Sequence, residues 1–168
     1  MIASSQSSSN ISNLTFNSIP NTYTDLKLVI SARSNRVGAD EDSVAVAFND
    51  GQGATSWILL FNSGNNLNAG TSTSLGYGGA FGGRISAANS STQQFGSLEM
   101  YIPNYAASAN KTFATTGGVE NSPNTPYSTL LLSMRTLTSA IGSIYLAPGN
   151  GTQFLAYSSF YLYGIKKA

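Results

Sequence analysis

The sequence predicts an all-β fold, an antiparallel two-sheet sandwich of about ten strands. Apolar residues recur with period 2 rather than 3.6 almost throughout, as strands with one buried face require. The runs are short and separated by Gly, Pro and Asn turn signals at sandwich-like spacing. No internal repeat marks a propeller or solenoid. With 168 residues, 41% of them hydrophobic, the chain can bury about 70% of its unfolded surface around one core. It divides into a polar N-terminal arm, residues 1–13, and one sandwich domain, residues 14–168.

The arm is a Ser/Asn run without the basic and apolar regions of a secretory signal. It is expected to be disordered or laid across a neighbouring subunit. Leu14 to Phe16 makes a first short strand. In Asp25 to Arg33, Leu26, Leu28, Ile30 and Ala32 share one face, while Asp25, Lys27, Ser31 and Arg33 share the other, the pattern of a half-buried antiparallel strand. Val44, Val46 and Phe48 repeat it, and Asn49-Asp50-Gly51 closes that run with a turn favouring positive φ.

Trp57 to Phe61 is apolar on both faces, which predicts a strand that is central or covered by a neighbour. Residues 62–83 are mostly Gly, Ser, Asn and Thr, with Leu67, Leu75, Tyr77 and Phe81 as the few large side chains. Too long for a hairpin turn, this stretch reads as a loop leaving one end of the sandwich, and loops of such length tend to be functional.

Further strands are expected at Arg84–Ala88, Phe95–Ile102, Lys111–Thr116, Tyr127–Arg135, Ile141–Leu146 and Phe154–Gly164. Turns are expected at Pro103-Asn104, Gly117-Gly118, Pro123-Asn124 and Pro148 to Gly151. Leu130 to Leu137 has weak helical spacing, but its Tyr, Thr and β-branched surroundings favour a strand. The last run carries Phe154, Ala156, Phe160 and Leu162 on one face, and Leu155, Tyr157, Tyr161, Tyr163 and Ile165 on the other. Such a strand lies inside a sheet or under another subunit.

The inventory for catalysis is thin. There is no His, no Cys, and 9% of residues are charged, so the usual proton carrier and soft nucleophile are both missing. No Gly-x-Ser-x-Gly elbow occurs. A glycosidase needs two carboxylates across one bond. The acids are Asp25, Asp40, Glu41, Asp42, Asp50, Glu99 and Glu120, and Glu99 reads as an outward strand residue opposite a Lys or Arg.

Asp40-Glu41-Asp42 offers hard oxygens but not the alternating spacing of a calcium loop, and reads as a solvated acidic turn. Gly76 to Gly83 fails Gly-x-Gly-x-x-Gly and reads as a surface loop. A net charge of +1 gives no broad field for nucleic acid. Lys166-Lys167, the one basic pair, reads as a solvated tail. No apolar stretch approaches the roughly 20 residues that span a bilayer. The sequons beginning at Asn10, Asn13, Asn89, Asn110 and Asn150 are what this composition yields by chance. No catalytic, cofactor-binding or metal-ligating residue is assigned. The chain is expected to act through its surface and not as an enzyme.

Three segments carry a resemblance. Ile19-Pro20-Asn21-Thr22-Tyr23-Thr24-Asp25-Leu26-Lys27-Leu28 resembles the opening of small β-sandwich virion proteins of tailed bacteriophages, cyanophages among them. Tyr101-Ile102-Pro103-Asn104-Tyr105 and Ser159-Phe160-Tyr161-Leu162-Tyr163-Gly164-Ile165 are similar to the middle and closing signatures of that family. The similarity runs from about Asn13 to Lys167, and its motifs are structural, recurring in head decoration and tail-associated proteins alike.

The resemblance implies a jelly-roll-like sandwich in the virion, serving as a capsid decoration (cement) protein or a fibre module. The short length and the lack of shaft repeats or heptads favour decoration. The expectation is a homotrimer made in the host cytoplasm, seated on the outer shell and stapling copies of the major capsid protein, without nucleic acid, membrane or cofactor. Ile2, Ser5 and Ser8 of the arm, with Asn66, Leu67, Leu75, Tyr77 and Phe81 of the long loop, are the expected partner contacts. The alternative is a receptor- or carbohydrate-binding module of a tail fibre or baseplate, binding glycan through Trp57 and Tyr77.

Overall fold

The period-2 runs become twelve strands in the computed structural model, which describes residues 1–49, 51, 55–63, 66–72, 80–121 and 125–166. They are β1 (Ala3–Gln6), β2 (Leu14–Phe16), β3 (Asp25–Ala32), β4 (Glu41–Phe48), β5 (Thr55–Ser63) and β6 (Asn66–Ser72). The second half adds β7 (Ala80–Ser86), β8 (Gly96–Ile102), β9 (Lys111–Asn121), β10 (Thr125–Arg135), β11 (Ile144–Pro148) and β12 (Ser159–Ile165). An eight-stranded sheet runs β1-β12-β3-β8-β9-β10-β5-β6, and a four-stranded sheet runs β2-β11-β4-β7. Every strand pairing is antiparallel. The fold class is the expected two-sheet sandwich, with two more strands than expected.

Alternation does the sorting. Leu26, Leu28, Ile30 and Ala32 of β3 point inward at 0–1% exposure, and Leu98, Met100 and Ile102 of β8 do the same beside them. Val44, Val46 and Phe48 of β4 and Ile144 and Leu146 of β11 meet them from the smaller sheet. Phe48 and Phe113 join the layers edge to face, with centroids 5.4 Å apart. Each fully buried side chain of this size contributes about 1.5–3 kcal/mol.

Both extra strands arise where composition had hidden a strand. The arm is neither disordered nor carried outside the sandwich: Ala3–Gln6 pairs with β12, placing Ser5 opposite Phe160. Residues 62–83 are likewise not one long loop, because Asn66–Ser72 folds back on β5 with Ser63 opposite Asn66. The Gly64-Asn65 dipeptide between them is a two-residue hairpin signal, although both residues lie outside the described set. Gly117-Gly118 is not a turn. It lies inside β9, where a Cβ on Gly117 would run into Leu98 and the Ser97 carbonyl. Pro123-Asn124 falls outside the described residues.

Arg33 and Asp42, both expected at the surface, are buried, as is Lys111. Arg33, expected on the outer face, is 7% exposed because the chain leaves the sheet after Ala32. Its guanidinium donates to the carbonyls of Ala88, Ser90 and Ser91 at 2.8, 2.9 and 2.6 Å, tying down the connection after β7.

Asp42, expected in a solvated acidic turn, is fully buried in β4. It accepts five hydrogen bonds: from Ser34 Oγ, Ser43 N, Asn150 N and Nδ2, and Gly151 N, at 2.7–3.1 Å. These donors fill both carboxylate oxygens, so Asp42 is a loop anchor rather than a calcium ligand.

Lys111 is 1% exposed and donates through Nζ to the carbonyls of Ala107, Ala109 and Leu137. Burial lowers its pKa from the ordinary 10.5.

The three segments that carry the resemblance converge. β12, β3 and β8 are neighbours. Asp25 accepts from Tyr101 Oη at 2.6 Å and from Asn104 N at 2.8 Å. Tyr105 is fully buried and donates its hydroxyl to the Pro20 carbonyl. Gly164 lies against the Tyr23 ring so closely that a Cβ there would overlap it. These motifs knit one corner of the sandwich, and their chemistry is packing and hydrogen bonding.

Candidate interaction surface

The largest unexplained feature lies on the outer face of the eight-stranded sheet. β10 carries the run Leu130-Leu131-Leu132, and the pleat sends alternate members to opposite faces. Leu131 enters the core at 0% exposure, while Leu130 and Leu132 point outward at 53% and 57%. The neighbouring strand does the same: Leu59 is buried, whereas Ile58 and Leu60 are 55% and 41% exposed.

Register then fuses the two strands into one stripe. Leu130 faces Leu60, Leu132 faces Ile58, and Met134, 40% exposed, extends the row opposite Ser56. The five side chains bare roughly 500 Å², near the top of what a monomeric soluble protein leaves exposed. Thr112, Thr116, Ser128 and Thr71 border the stripe and are themselves exposed. A groove of about 510 Å³ lined by Ile58, Thr71, Thr112, Leu132 and Met134 runs along it.

The other half of the same face is polar. Lys27 Nζ lies 2.9 Å from Glu99 Oε2, with both side chains substantially exposed. Glu99 is therefore the outward strand residue that the sequence predicts, but Val29 lies directly opposite it and Lys27 reaches it on the diagonal. Tyr101 has its pKa raised above 10.0, first by its hydrogen bond to Asp25, then by desolvation and the Asp25 charge. The exposed Lys27–Glu99 pair contributes at most about 1 kcal/mol. The outer face thus divides into a charged, hydrogen-bonded half on β3 and β8 and an uncharged apolar half on β10 and β5.

The expected contact residues are scattered relative to this stripe. Asn66 and Leu67 lie on β6 at its border, and Leu67 is 79% exposed opposite Asn62. Phe81 is not a surface contact. It is 7% exposed, with its ring centroid 5.6 Å from that of Trp57. Ile2 packs partly buried against the core, Ser5 is half-buried in β1, and Ser8 is exposed just beyond it.

The arm and β6 form opposite edges of the eight-stranded sheet, so the two expected contact elements do not meet. Leu75 and Tyr77 lie outside the described residues. Trp57, expected as a stacking platform, is half-buried, with a Cβ on Gly70 falling 3.5 Å from its ring.

Ile58, Leu60, Leu130, Leu132 and Met134 were not singled out as contacts in the sequence. Their signal was present in the two-faced apolar run Trp57 to Phe61, which asks for a covering neighbour on its second face. Among the described residues no layer covers it. Elsewhere, Arg84 reaches from the smaller sheet to Phe61 and Tyr127, its guanidinium carbon 4.9 and 5.1 Å from their centroids. Its other partner is Glu41, at 2.5 Å. That cluster joins the layers and uses up its own charges.

Compared with known proteins, the chain matches no family model, no curated protein and no solved structure.

Proposed function

We propose that this protein is a structural subunit of a virion, a capsid decoration protein that attaches to the outer shell and staples neighbouring capsid subunits. The observation that carries the reading is the bare apolar stripe of β5 and β10. Burying it needs a macromolecular partner, because five side chains in a shallow row cannot enclose a small ligand.

Two further features support it. The resemblance read in segments 19–28, 101–105 and 159–165 of the sequence implies a phage virion protein, and those segments serve packing here. The stripe is also rimmed by Thr and Ser hydroxyls and free of charge, so covering it strands no ion in a low-dielectric contact.

The mechanism is interface burial repeated over the shell. Each copy removes the stripe from water, worth about 25 cal/mol per Å² before the costs of ordering. Many copies multiply a modest contact into a mechanical effect. Quantitative mass spectrometry of purified particles tests the assignment. Hundreds of copies of this chain per particle are expected, whereas a handful would place it on a tail and contradict decoration.

A further inference from the structure

β6 is the outermost strand of the eight-stranded sheet. It has β5 on one side and, among the described residues, no strand on the other. An edge strand presents unpaired N–H and C=O groups, and proteins usually blunt it with Lys, Pro, a bulge or extreme brevity. β6 has none of these devices. Its seven residues carry no charge and no proline, and its pairing with β5 runs from Asn66 to Ser72 without a register shift. The opposite edge, β1, is only four residues long. Leu67, Ala69 and Thr71, all exposed, continue the apolar stripe to the rim of the sheet.

From this geometry we propose that β6 pairs antiparallel with β6 of a second copy of this chain. The twofold axis passes through Ala69, and the two eight-stranded sheets become one. Symmetry, charge and area select a second copy over a different protein. A twofold normal to the sheet sets β6 antiparallel to itself and keeps both outer faces on the same side. Ala69 is the middle residue, so the whole strand pairs: Asn66 with Ser72, Leu67 with Thr71, Asn68 with Gly70. An uncharged edge does not repel its own copy and offers no field to select another partner.

The area argument rests on the attachment reading above. One stripe of roughly 500 Å² falls short of the ~800 Å² per partner of a stable interface. Two stripes side by side on one face exceed it, and the shell contact becomes bivalent.

Sedimentation of the full chain tests the pairing. Wild type should run at twice 17.5 kDa. Ala69→Lys and Ala69→Glu each set like charges directly opposite across the axis, and each alone should be monomeric. Mixed in equal amounts they should recover the dimer mass, which a folding defect would not produce.

Wild type that is monomeric or trimeric at high concentration, or charged variants that each remain dimeric, would overturn the pairing. Particle binding separates the two readings. A monomer that still decorates shells removes only the pairing, whereas a dimer that binds no shell supports the pairing and removes the shell.

Discussion

Ile58 and Leu132 are registered partners across β5 and β10, and both remain more than half exposed. A cross-strand apolar pair contributes about 0.2–1 kcal/mol to the sheet, while each side chain keeps most of its burial energy unrealised. Replacing the pair by Thr preserves β propensity and removes only that small term. The unfolding free energy of Ile58→Thr/Leu132→Thr should fall by less than about 1 kcal/mol. Retention on a hydrophobic-interaction column should fall clearly. Denaturant titration reads the first, and a loss of several kcal/mol would mean that the stripe is already buried within the folded chain.

Asp42 should be among the most sensitive positions. Removing its carboxylate in Asp42→Ala strands the amides of Ser43, Asn150 and Gly151 and the Ser34 hydroxyl, at about 3 kcal/mol or more. Asp42→Asn keeps one acceptor and should cost about 2 kcal/mol. Amide exchange at Asn150 and Gly151 should accelerate in both, and unchanged protection there would contradict the anchoring role.

Lys111 makes stability depend on alkaline pH. Its folded pKa is lowered by burial from an unfolded value of 10.5. Between those two values the unfolded chain binds more protons, so stability rises with pH across that window. The penalty of charging the buried amine is complete below the folded pKa and gone above 10.5. Relative to Lys111→Met, wild type should therefore gain stability as pH climbs through the lowered folded value toward 10.5 and level off beyond it. Taking the difference removes groups that titrate equally in both proteins, Tyr101 among them. A flat difference would contradict the desolvation of Lys111.

Gly164 and Tyr23 test whether the segments 19–28 and 159–165 act through packing. A Cβ at residue 164 overlaps the Tyr23 ring, and overpacking of this kind costs about 1–3 kcal/mol. In Gly164→Ala the loss should largely disappear when Tyr23→Ala is added, giving a clear coupling in a double-mutant cycle. Additive losses would show that the glycine is needed for its backbone instead.

Much of the architecture was legible because burial imposes period 2. Leu26, Leu28 and Ile30, or Phe160 and Leu162, announce an inward face whatever the topology. β1 and β6 were illegible for one reason: Ala-Ser-Ser-Gln and Asn-Leu-Asn-Ala-Gly-Thr-Ser have almost no apolar alternation, and their neighbours' backbones hold them. Arg33 and Asp42 looked solvated because charge favours water. Only the loop carbonyls and amides around them, gathered from distant segments, make burial affordable. The stripe was half legible. Trp57 to Phe61 asked for a cover, but pairing Ile58 with Leu132 and Leu60 with Leu130 required a register that no local pattern encodes.

The most direct test of the account is shell occupancy of an Ile58→Lys/Leu132→Glu protein, whose opposite charges face each other across the pair. These side chains are exposed, so the variant should fold with a midpoint close to wild type. Added to particles that lack this chain, wild type should fill its sites, and the doubly charged variant should leave them empty by mass spectrometry and by direct imaging. Equal occupancy by a folded variant would contradict the claim that the outer face of β5 and β10 is the surface by which the protein attaches.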